Sequence, residues 1–88
     1  MNTDQKKSFL NDLKKITDPA LKAEIKQVIE TVKKANSMQD ISQLKKLKGY
    51  RISYRIRVGN YRIGVEIVGN LITFLKCLPR KDFYKYFP

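Results

Sequence analysis

Eighty-eight residues with a mass of 10.3 kDa make one small domain, 1–88, because a chain this short buries only about 60% of its unfolded surface; a two-domain enzyme with a deep cleft is excluded. Apolar residues make up 42%, with only three prolines and four glycines, so the chain has material for a core and is neither collagen-like nor disordered. The net charge of +11 and a pI near 10.0 point to a polyanionic partner: nucleic acid, an acidic protein or an anionic membrane.

In chain order, the start Met-Asn-Thr-Asp-Gln-Lys-Lys has no apolar stretch behind its basic pair, so it reads as no signal peptide and the protein as cytoplasmic. Phe9, Leu10, Leu13 and Ile16 fall at helical spacing, with Asn2, Thr3 or Asp4 available as a cap. Asp18-Pro19 ends that helix and opens another, since Asp accepts from free first-turn amides and Pro suits the first helical position. Leu21, Ile25, Val28, Ile29 and Val32 then form one apolar stripe to about Ala35. Asn36-Ser37 breaks it, and Met38, Ile41 and Leu44 predict a further turn or two of helix before Leu47-Lys48-Gly49. No apolar run is long enough to span a bilayer.

From Tyr50 the period drops to two: Tyr50, Ile52, Tyr54, Ile56 and Val58 alternate with Arg51, Ser53, Arg55 and Arg57. Gly59-Asn60 and Gly69-Asn70 read as two-residue hairpin loops, which predicts strands over about 50–58, 61–68 and 71–78. The expected fold is α+β, two N-terminal helices on a three-stranded antiparallel meander, with a short C-terminal helix or tail. Tight loops set register. Val58 opposes Tyr61, so Arg57 faces Arg62, Arg55 faces Gly64 and Ser53 faces Glu66; on the second turn Gly64 is expected to meet Leu75 and Arg62 to meet Cys77. One face, from Tyr50 and Ile52 to Ile72 and Phe74, is left for the helices to cover, and the other carries the arginines.

The charge divides unevenly along the chain. Residues 1–48 hold eleven lysines, no arginine and six acids, a net of +5; residues 49–88 hold five arginines and three lysines against Glu66 and Asp82, a net of +6. Lysine mixed with acid on helices is a solvated face, whereas arginine gathered on strands is what bidentate phosphate recognition requires. Arg57 and Arg62 directly opposite each other cost up to about 1 kcal/mol, so removal of either is expected to leave folding intact or improve it. Arg80 lies just beyond the last strand, and with Arg55 makes four guanidiniums on one rim. A plainer account, long basic side chains fanning into water, explains neither the choice of arginine nor the clustering. Gly64 marks either close approach of a ligand backbone or a simple kink. Tyr84, four residues after Arg80, suits base stacking, although Phe83, Tyr84, Tyr86 and Phe87 together serve equally as a C-terminal staple.

Other chemistries fit poorly. Without histidine there is no His-based nucleophile or His-paired ribonuclease scheme, the single Cys77 forms no internal disulfide, and two acids in the basic half make no magnesium cluster. No metal and no cofactor is expected.

Lys48-Gly49-Tyr50, Tyr54-Arg55-Ile56-Arg57-Val58-Gly59-Asn60-Tyr61-Arg62-Ile63 and Arg80-Lys81-Asp82-Phe83-Tyr84, with Ser8 to Lys15 near the start, resemble the RelE/ParE superfamily of bacterial toxins, in particular its RelE branch of mRNA interferases. The resemblance covers nearly the whole chain. It implies the toxin of a type II toxin-antitoxin system, a metal-independent endoribonuclease that enters the ribosomal A site and cuts translated mRNA by attack of the ribose 2′-hydroxyl on its own phosphate. It also implies a cognate antitoxin, acidic and wrapped around the toxin. Matched position by position, it makes Arg57, Arg62, Arg80 and Tyr84 catalytic and Arg51, Arg55, Lys48 and Lys81 binders of RNA phosphate. Arg55 and Arg57 position phosphate, Arg62 stabilises the transition state, Arg80 serves the leaving oxygen and Tyr84 stacks a base.

Two departures stand out. Some active relatives carry lysine or histidine where this chain has Arg55, Arg57 or Pro79, which leaves Lys48, Lys81, Tyr84 or the ribosome itself to serve the proton transfer. Family members often begin with an extra strand, which the polar start here is expected to lack. The alternatives are a ParE-like inhibitor of DNA gyrase with the same fold, and an RNA-binding module or decayed toxin without activity.

Overall fold

The computed structural model describes residues 1–88, arranged as five strands and three helices. Strand β1 (Asn2–Gln5) leads into helices α1 (Lys7–Lys14) and α2 (Pro19–Lys34), a 3-10 turn at Met38–Asp40 and strand β2 (Leu44–Lys46). A hairpin pair follows, β3 (Ser53–Val58), β4 (Tyr61–Val68) and β5 (Leu71–Pro79), and the chain closes with helix α3 (Arg80–Tyr86). The sheet is mixed, in the order β1-β5-β4-β3-β2, with β1 parallel to β5 and every other pair antiparallel.

The three-stranded meander is therefore the centre of a larger sheet. Asn2, Thr3, Asp4 and Gln5 do not cap α1; they pair with Leu71 to Phe74 at the edge. No apolar alternation announces them, because an edge strand with one exposed side draws its stability from the ladder that β5 offers. At the other edge Leu44 extends β2 instead of a helix, pairing with Ile56, and the expected helix shrinks to Met38–Asp40. Strand β3 begins at Ser53, three residues later than the alternation suggests, and both Tyr50 and Ile52 are exposed instead of buried.

Helix α2 forms as its sequence dictates: the Asp18 carboxylate accepts from the Ala20 N–H at 3.0 Å, Pro19 occupies the first turn, and Ile25, Ile29 and Val32 are buried. Helices α1 and α2 cover one sheet face, where Phe9, Ile16, Ile25 and Val32 meet Ile56, Ile63, Val65, Ile72 and Phe74. The Phe9 and Phe74 rings lie 5.2 Å apart.

The register of β3 on β4 is the one the Gly59-Asn60 loop imposes: Val58 opposite Tyr61, Arg57 opposite Arg62, Arg55 opposite Gly64. The β4–β5 ladder departs from expectation. It shifts between Gly64 and Val65, so Gly64 pairs with Lys76, Ile63 with Cys77 and Arg62 with Leu78, leaving Leu75 as the extra residue of a bulge. A bulge turns the residues after it to the opposite face, and Cys77 enters the core at 2% exposure. Side chains of α1 serve the β5 backbone beyond the end of β1: Ser8 Oγ donates to the Leu75 carbonyl at 2.6 Å, and the Cys77 N–H donates to Asp12 Oδ2 at 2.9 Å. Burial, with the Asp12 charge second, pushes the Cys77 thiol up to about 12, which keeps it protonated and unreactive.

Candidate functional site

The second sheet face is only partly open. Helix α3 folds back across it from Pro79, burying Phe83 and Phe87 and leaving Tyr84 and Tyr86 exposed. Gly64 is needed here: a β-carbon at this position would lie 2.7 Å from the Phe87 ring, so the missing side chain admits the C-terminal aromatic rather than a ligand backbone. Of the four C-terminal aromatics, two are thus staple and two project outward.

Where α3 starts, the face opens into a cleft of about 520 Å³ lined by Gln43, Arg57, Gly59, Asn60, Arg62 and Arg80, with neither an acid nor an apolar side chain. Three backbone features shape it. The Gly59-Asn60 turn joins β3 to β4, with Gly59 in the left-handed region at φ +56°. The Arg80 N–H donates to the Asn60 carbonyl at 2.8 Å, tying the start of α3 to that turn. Gln43, at φ +64°, accepts from the Arg57 N–H at 3.3 Å and from Arg55 Nη1 at 2.8 Å. Gln43 has no signal in the sequence and Asn60 is legible there only as a turn residue, since both act on the cleft through backbone carbonyls, which leave no signature in residue type.

Arg62 is the buried member of the group, 8% exposed. Its Nη1 donates to the carbonyls of Gly59 and Tyr61, each at 2.9 Å, which fixes the guanidinium and leaves Nε and Nη2 free of protein partners. Burial holds Arg62 below its ordinary range, and the charges of Arg55, Arg80 and Arg57 push the same way, while Tyr84 acts against them. Hydrogen bonds made by a charged group contribute about 1.5–3 kcal/mol each, more than the roughly 1 kcal/mol lost to a facing like charge. That balance explains how the Arg57–Arg62 pair persists.

None of these arginines has a carboxylate partner. The two ion pairs of the chain are Lys6–Asp4 at 3.5 Å and Lys33–Glu30 at 3.8 Å, both in the lysine-rich half. Arg57, Arg62 and Arg80 line one cleft, Arg55 flanks it through Gln43, and Tyr84 stands near enough to influence Arg62. Lys48 lies elsewhere, in a second hollow that it shares with Tyr84. Arg51, in the exposed bend before β3, and Lys81, exposed on the first turn of α3, line neither space. Such a cleft suits a phosphate: one guanidinium, Arg62, is held in place, the exposed Arg57 and Arg80 stand with it, and no competing acid is present.

Comparison with known proteins agrees with the fold. The family model of the ParE toxin of the type II toxin-antitoxin system, parDE, matches residues 4–84. Toxin RelE3 of Methanocaldococcus jannaschii is 47% identical over 83 residues, covering 93% of this chain and 93% of that protein. The crystal structure of the RelB-RelE antitoxin-toxin complex from Methanococcus jannaschii contains a chain 44% identical to this one, with a TM-score of 0.81 over 97% of this chain and 99% of that chain. A chain of the RelE-RelB complex from Pyrococcus horikoshii OT3 has the same fold at 20% identity, with a TM-score of 0.71 over 90% of this chain and 93% of that one.

Proposed function

Because the chain belongs to the RelE/ParE family of type II toxins, we propose that this RelE-type toxin is a ribosome-dependent endoribonuclease acting on translated mRNA in the A site. The carrying observation is the convergence of Arg57, Arg62 and Arg80 on one cleft that no carboxylate lines. In the reaction the ribose 2′-hydroxyl loses its proton and attacks the adjacent phosphorus, the bond to the 5′-oxygen breaks, the departing oxygen takes a proton from water, and the products are a 2′,3′-cyclic phosphate and a 5′-hydroxyl.

Negative charge builds on the phosphoryl oxygens as the pentavalent state forms. Arg62 suits that charge: its Nη1 is held by two carbonyls, so Nε and Nη2 are aimed before the substrate arrives and need no reorganisation. Arg57 and Arg80 flank it, one to position the phosphate and the other to meet the leaving oxygen. Arginine remains protonated throughout, so these residues stabilise charge and leave proton abstraction to Lys48, Lys81, Tyr84 or the ribosome. Tyr84 stacks a base beside the cleft. The excess of eleven positive charges draws the toxin toward ribosomal RNA and equally toward an acidic antitoxin; the similar RelE chains from Methanococcus jannaschii and Pyrococcus horikoshii OT3 are in complex with RelB.

Primer extension on a translated message after induction tests the proposal. Cuts within codons that disappear in Arg62→Ala and Arg80→Ala are expected. Growth arrest with intact messages and damaged or relaxed DNA would overturn it in favour of gyrase inhibition, a reading that the ParE family model keeps in play.

A further inference from the structure

One turn along α3 from Arg80 of the arginine cleft, Tyr84 enters a second hollow of about 330 Å³, lined by Leu47, Lys48, Tyr50, Tyr84, Phe87 and Pro88. Its volume is at the lower end for small-ligand sites. Resting on the ribonuclease reading above, we propose that this hollow is a nucleobase pocket for single-stranded RNA, in which Tyr50 supplies a second stacking wall beside Tyr84.

Tyr50 continues the apolar alternation of β3 and belongs by that pattern in the core, yet it is 51% exposed. Gly49 causes the displacement: at φ +87° it closes a turn in which the Tyr50 N–H donates to the Leu47 carbonyl at 3.2 Å, swinging residue 50 out of the sheet. Tyr84 is 58% exposed as well. It is fixed from behind, since its ring meets Phe83 edge-on at 4.9 Å and 82°, and Phe83 is fully buried. Phe87, buried against Gly64, adds a third aromatic surface to the hollow.

The chemistry of the lining selects the ligand. Two exposed phenol rings and a buried phenyl present flat π surfaces, and the only charge among the six lining residues is Lys48. A phosphate would find a single cation there, against three in the neighbouring cleft. A base finds stacking surfaces, with one ammonium to meet a ring nitrogen or carbonyl. Helix α3 connects the two spaces, because Arg80 lines the cleft and Tyr84, one turn later on the same face of the helix, lines the hollow. An RNA strand with a phosphate at Arg80 would therefore carry a neighbouring base toward Tyr84 and into the hollow that Tyr50 also lines.

A short single-stranded RNA tests this, carrying 2-aminopurine next to a 2′-deoxy position that blocks cleavage, titrated with the full chain. Stacking quenches the aminopurine. Wild type is expected to quench, Tyr50→Phe to bind within about twofold of it, and Tyr50→Ala to bind roughly 5- to 150-fold more weakly with an unchanged salt slope. Arg62→Ala is expected to lower the salt slope while keeping the quench. No quenching by wild type, or equal binding by Tyr50→Ala, overturns the pocket. If translated messages stay uncut while the Tyr50-dependent quench persists, the pocket stands and the ribonuclease reading falls. If messages are cut and Tyr50→Ala neither weakens the quench nor shifts the cut positions, the pocket alone falls.

Discussion

Two charged side chains are buried in this protein, and they serve opposite ends of its design. Asp12, 5% exposed on α1, accepts the Cys77 N–H beneath the bulged end of β5. Arg62, 8% exposed on β4, donates to two carbonyls at the rim of the arginine cleft. Both are held by backbone groups and neither is in an ion pair. The difference lies in what remains free. Asp12 faces the packed side of the sheet and completes a strand edge that β1 is too short to pair, so its work is structural. Arg62 keeps two nitrogens unpartnered among like charges, an arrangement that costs stability until an anion arrives. Buried charge alone thus says little about role; the partners left over decide it.

Substitutions can break that contrast. The largest effect is expected at Arg62→Ala: cleavage of translated message falls by roughly 10²- to 10³-fold, the scale for removing one preorganised oxyanion donor, while the chain still melts cooperatively. Near-normal cleavage by that variant would strip Arg62 of its functional half of the comparison. Gly64→Ala comes next, since the added methyl meets the Phe87 ring; a loss of about 1–3 kcal/mol is expected in chemical denaturation. Combining it with Phe87→Ala should give less than the sum of the two single losses, and strict additivity would mean that the two positions do not touch.

Asp12→Ala is expected to cost about 1–3 kcal/mol by orphaning the Cys77 N–H, visible as a lower melting temperature with message cleavage intact at permissive temperature. Selective loss of cleavage there would erase the distinction between the two buried charges. Arg57→Ala should produce the smallest stability change and the opposite sign: a gain of no more than about 1 kcal/mol, because Arg57 is exposed and its removal relieves Arg62. Arg62→Ala should show no such gain. The sequence alone assigned both residues the same relief, before the two carbonyl bonds of Arg62 were apparent.

Much of the site was legible because short-range rules produce it. A two-residue turn at Gly59-Asn60 places Arg57 opposite Arg62 whatever surrounds it, and the closeness of Arg80 follows from the length of the last strand. Arg51 shows where such reasoning stops. It shares the alternation of Arg55 and Arg57, but the strand starts after it, and it points to neither hollow. Tyr50 was assigned to the core by the same alternation and lies outside it for the same reason.

What the amino-acid sequence determined by itself was local: α2 with its Asp18-Pro19 start, the two glycine-asparagine turns, the facing arginines, and the division of a +11 charge into helix lysines and strand arginines. Tertiary structure alone decided the rest. The polar residues 2–5 became a strand because β5 had a free edge, the bulge at Leu75 sent Cys77 into the core, and α3 folded over the sheet to leave one cleft open. Each of these outcomes depends on partners many residues away, and neither periodicity nor turn chemistry carries information over that distance.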